Sequence, residues 1–73
     1  MKVEDIKVKY NYWLGRYSKA EEFFKTHTNE ECEKHLELLY EIVRELSKLM
    51  QEYRRVAGKE MTEYENKYGF EGV

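Results

Sequence analysis

Apolar and aromatic side chains recur at Val3, Ile6, Tyr10, Trp13, Tyr17, Ala20 and Phe24, in steps that alternate strictly between three and four residues. Such spacing keeps one edge of an α-helix apolar and is incompatible with the period of two that a half-buried strand requires. A second run follows the same rule at Cys32, Leu36, Leu39, Val43, Leu46, Met50, Tyr53 and Ala57. The spacing predicts one helix over about residues 3–26 and another over about 29–57. Thr28 and Glu31 between them form a capping-box pattern that starts the second helix. Gly58 suits the left-handed residue that stops it, and Arg54 and Arg55 complement the dipole of its last turn.

So short a connection forces the helices into an antiparallel hairpin. Facing Phe24 with Cys32 sets a register in which every later pair is apolar: Ala20 with Leu36, Tyr17 with Leu39, Trp13 with Val43, Tyr10 with Leu46, Ile6 with Met50 and Val3 with Tyr53. Proline is absent, glycine occurs four times and 38% of the residues are charged, which also favours helix over a turn-rich sheet. The fold class is therefore all-α, as a single domain over residues 1–73. A chain of this length buries only a small core and needs support beyond it.

Two sources of support are written in the sequence. The first is the width of the apolar stripe on the second helix, where His35, Ile42, Leu49 and Val56 recur every seven residues with Leu38 beside them. One partner helix cannot cover such a stripe, and Leu14 and Phe23 add apolar flanks to the first helix. These seven residues are the candidate interface, and they predict a homodimer in which two hairpins form a four-helix bundle. The second source is the C-terminal tail. Thr62 with Glu65 repeats the capping-box pattern and Gly69 followed by Phe70 resembles a helix stop, so a short third helix is expected over about 62–68. Val8, Tyr12 and Gly15 form a minor stripe on the first helix where Tyr64, Tyr68 or Phe70 would pack.

Charge is segregated along the chain: residues 1–20 sum to +3, residues 21–45 to −5 and residues 46–73 to zero. Folding the hairpin gathers Lys7, Lys9, Arg54, Arg55 and Lys59 at its open end and glutamates at the turn. Those five basic residues are candidate phosphate contacts, and weak nucleic-acid binding is the alternative function. The net charge of −2 is unlike that of a dedicated nucleic-acid binder. Complementary ends would also orient two hairpins head to tail.

Chemistry beyond binding finds little footing. His27, Cys32 and His35 are near in sequence but fall short of the four paired ligands of structural zinc, so no metal or other cofactor is expected. Glu30, Glu31, Glu33, Glu37, Glu41 and Glu45 form a solvated face, and no phosphate loop or nucleophile elbow occurs; the chain reads as a non-enzyme. One cysteine cannot close an internal disulfide, and no apolar run reaches the length of a signal sequence or membrane span. A cytoplasmic protein without membrane contact is expected.

The segments YWLGRYSKAEEFF and GKEMTEYENKYGF resemble small uncharacterised helical proteins encoded by Gram-positive bacteria and their prophages. That resemblance implies a host-directed or phage-assembly partner rather than a metabolic substrate, and supplies no catalytic residues. The expected function is a small protein-interaction or regulatory module acting through a helical, dimeric surface, with itself or another protein as partner.

Overall fold

The computed structural model describes residues 2–73, and among these it contains four helices and no strand. They are α1 (Val3–Thr26), α2 (Asn29–Lys34), α3 (Leu36–Ala57) and α4 (Glu63–Tyr68). Helices α1 and α3 form the antiparallel hairpin, and the molecule measures 42 × 20 × 18 Å. Local signals act where the residue types place them. The Thr28 hydroxyl accepts the Glu31 amide, and Thr62 and Glu65 complete a reciprocal capping box. Gly58 adopts φ 73°, a left-handed conformation that ends α3.

The expected second helix is interrupted. His35 leaves helical geometry at φ −107°, ψ 4°, dividing it into α2 and α3. Neither glycine nor proline marks this site, where the His35 ring packs edge-on against Phe23 at 4.5 Å between centroids. Helix α2 closes over the end of α1, where Cys32 Sγ lies 3.8 Å from the Phe24 carbonyl oxygen as the hairpin register requires.

The core consists of Ile6, Tyr10, Ile42, Leu46, Leu49, Tyr53 and Phe70. Its line along α3 differs from the expected seam: Ile42 and Leu49 are inside, at 1% and 7% exposure, while Val43 is 42% exposed. Stripe width explains the difference. At about 100° per residue, Ile42, Leu46, Leu49 and Tyr53 form the central line of the apolar arc, with Leu38 and Val43 on its two edges. A single facing helix buries the centre and leaves both edges to solvent.

The tail supplies a third layer over one half of the hairpin. Phe70 enters between Tyr10 and Tyr53, with ring centroids 5.8 and 5.2 Å away, and Lys7 Nζ lies 5.5 Å from its ring centre. Asn11 holds the tail backbone on both sides of that ring: its Nδ2 donates to the Phe70 carbonyl at 2.8 Å, and its Oδ1 accepts the Phe70 amide at 2.7 Å. The Tyr10 hydroxyl donates to the Asn66 carbonyl at 2.7 Å, which ties α4 to the same helix.

The tail thus docks on the Asn11 and Leu14 side of α1, not over the expected Val8, Tyr12 and Gly15 stripe. Val8 and Tyr12 are exposed, and a Cβ at Gly15 would meet nothing within 4 Å. Close approach falls instead on Gly69, at φ 86°, where a Cβ would run into the Asn11 amide. Backbone conformation and crowding both demand glycine there.

Candidate functional site

No residue of the buried core lies between Tyr10 and Ile42; within that stretch the tail reaches Asn11 and Leu14, and residues 15–41 form the turn half of the hairpin. The open half has three packed layers and the turn half only two. Yet the turn half is rich in apolar side chains, and between α1 and α3 it leaves an open groove of about 490 Å³. Ala20, Phe23 and Phe24 line it from α1, Leu38, Leu39 and Ile42 from α3, and His35 from the break between α2 and α3.

Its α1 wall is basic. Tyr12, Arg16, Lys19 and Phe23 follow one another by four, three and four residues, which places them in one row. The Arg16 guanidinium sits 5.2 Å from the Trp13 ring centre and 6.0 Å from that of Tyr12, aromatic faces that orient the cation without neutralising it. At the closed end Phe23 is stacked on His27 at 3.6 Å and touched edge-on by His35, giving the groove a fixed aromatic floor.

Of the seven expected interface residues, the structure brings His35, Leu38, Ile42 and Phe23 together in this groove. Leu38 is the exposed apolar member, at 40%. The others belong elsewhere. Leu49 is covered by the chain itself as part of the core, Val56 is half-buried beside it, and Leu14 is half-buried next to the tail at Gly69. Ile42 is likewise closed to solvent, so it supports the groove floor and offers no free surface. Ile42, Leu49 and Val56 follow the shift of the buried line that exposes Val43, whereas Leu14 is covered by the tail.

The expected phosphate contacts reach the open end, but with other partners. Lys7 lies over Phe70, Arg54 Nη1 is 3.5 Å from Glu60, and the Arg55 guanidinium is hydrogen-bonded to Glu52. That guanidinium holds the Glu52 carboxyl below the usual range and is itself pushed up. Lys9 and Lys59 have no ion-pair partner among the described residues. His27, Cys32 and His35 do not converge: each packs against the end of α1 or its rings, and no three potential metal ligands cluster among the described residues.

Sequence patterning alone did not single out Asn11, Arg16 and Lys19. The row Tyr12, Arg16, Lys19, Phe23 carried a helical period, but its apolar ends are interrupted by two cations. Asn11 carried a weaker sign, a poor helix former in mid-helix whose amide needs a partner. Among the described residues, no helix is long and apolar enough to cross a membrane. No family model, curated protein or solved structure matches the chain.

Proposed function

We propose that this chain is a non-enzymatic protein-interaction module, working in the cytoplasm, whose working surface is the groove of its two-layered half. The observation that carries this reading is the disparity between the halves: the tail completes the core at one end, while Phe23, Phe24, Leu38 and Leu39 at the other line an open apolar groove. A bundle with one layer missing binds what supplies that layer, most simply another helical surface. The resemblance to prophage-borne helical proteins fits a host-directed or phage-assembly partner. Nothing favours the nucleic-acid reading equally, since Lys7, Arg54 and Arg55 are engaged within the chain.

Leu38→Glu tests this function. Leu38 lies outside the buried core, so helicity and melting temperature should change little, within about 0.5 kcal/mol. Association should fall sharply, whether with itself or with another protein captured by the wild-type chain, because a carboxylate would be desolvated in an apolar contact. Equal association by the two proteins, measured by light scattering and side-by-side affinity capture, would remove the groove from the function.

A further inference from the structure

The two walls of the groove differ in charge. Arg16 and Lys19 stand on the α1 wall, and the groove lining contains no acidic residue. Across the groove, the α3 surface beyond Leu38 carries Glu37 and Glu41, with Lys34 one turn before Leu38 and Arg44 beyond Glu41 on the same surface. Neither Arg16, Lys19, Glu37 nor Glu41 is in an ion pair among the described residues. In the hairpin register Arg16 is level with Tyr40 and Glu41, and Lys19 is level with Glu37. One face therefore presents an apolar centre, a basic edge and, opposite it, an edge of mixed charge whose unpaired Glu37 and Glu41 stand at the heights of Lys19 and Arg16. That is the composition a self-complementary, two-fold surface requires.

The chain exposes 5701 Å², whereas a compact folded monomer of 9.0 kDa is expected to expose about 4,850 Å². The elongated shape, 42 × 20 × 18 Å, raises the exposed area along the whole rod, the groove with exposed Leu38 included.

Resting on the docking function above, we propose that the groove is filled by a second copy of this chain, related by a two-fold axis parallel to the helices, with both turn ends at the same end of the dimer. This operator preserves height along the helices while setting α1 of each protomer opposite α3 of the other. Arg16 then meets the partner's Glu41 and Lys19 the partner's Glu37, on both sides of a shared apolar centre. The perpendicular two-fold, which gives the head-to-tail dimer suggested by the charged ends, sets α1 against α1 and brings basic walls together. Charges at the ends are exposed and screened over about 8–10 Å, whereas wall charges flank the contact itself, so the walls decide the orientation.

The test uses two double variants of the full chain, Arg16→Glu with Lys19→Glu, and Glu37→Lys with Glu41→Lys, with molar mass measured by light scattering across a concentration series. The wild type should run as a dimer of about 18 kDa, twice the chain mass. Each double variant alone should dimerise at least about tenfold more weakly, with circular dichroism confirming that it folds. Mixing the two variants should restore the dimer, because both sides of the mixed pair are again complementary. A wild-type dimer indifferent to both double variants would overturn the arrangement. A monomeric wild type that retains another protein through Leu38 would overturn the second copy as occupant and leave the docking function standing; a monomer with no Leu38-dependent binding would overturn both.

Discussion

Replacing Tyr53 with alanine should abolish the cooperative thermal transition. Tyr53 is 2% exposed and its ring meets Phe70 while it shares the core with Ile6 and Tyr10. Truncating a buried aromatic costs about 3–5 kcal/mol through lost transfer energy and the cavity left behind. A core of this size rarely supplies more than about 3–5 kcal/mol altogether, so the variant should be largely unfolded at room temperature. Circular dichroism melts give the answer, with Tyr53→Phe as the near-neutral control. Trp13 is the larger ring and stood at the centre of the expected seam, but it stays partly exposed, so its truncation should cost less than that of Tyr53.

Phe70→Ala should release the whole tail. Helix α4 has six residues, too few to persist without tertiary support. The tail is attached chiefly by the Phe70 ring, the two Asn11 bonds to the Phe70 backbone and the Tyr10 bond to Asn66, with Met61 packed on the core before α4. Loss of the ring should remove most of the stability that docking the tail supplies, uncover Tyr10 and Tyr53, and approach the effect of deleting residues 60–73. Proteolysis after Arg54, Arg55 or Lys59, followed with time, would report the release; an unchanged cleavage rate would show that Phe70 does not anchor the tail.

Alkali should act on the same attachment. Burial pushes the Tyr10 phenol above its ordinary value of 10.0. The folded chain therefore keeps a proton that the unfolded chain loses first. The stability tied to that proton is complete below the ordinary tyrosine range and is lost as pH rises through the raised native value. Tyr10→Phe should remove this component of alkaline destabilisation.

Much of the architecture was legible in the residues because it depends on local rules. The three-four alternation follows α1, Thr28 caps the start of α2, Gly58 ends α3, Thr62 and Gly69 bound α4, and the short turn dictated the antiparallel hairpin. What escaped depends on how several elements share one surface. A heptad frame assigns Val43 and Met50 to the seam, but the centre of a wide apolar arc is the line that a facing helix buries, and this line runs through Ile42 and Leu49. No glycine or proline announces the interruption at His35, whose ring packs on Phe23 of another helix. The side of α1 chosen by the tail was set by Asn11, a polar residue that can satisfy a backbone amide and carbonyl together. Four of the seven candidate interface residues gathered in one groove because Phe23, His35, Leu38 and Ile42 lie beyond the reach of the tail.

The division of the molecule into a finished half and an unfinished half is tested most directly by native-state hydrogen exchange as a function of protein concentration. Amides of residues 20–24 and 36–40 should exchange faster in dilute solution than those of Tyr10 and residues 46–53. Raising the concentration should slow exchange in the first set by the larger factor, as a second chain covers the groove. Equal protection in both halves, unchanged by concentration, would contradict that division.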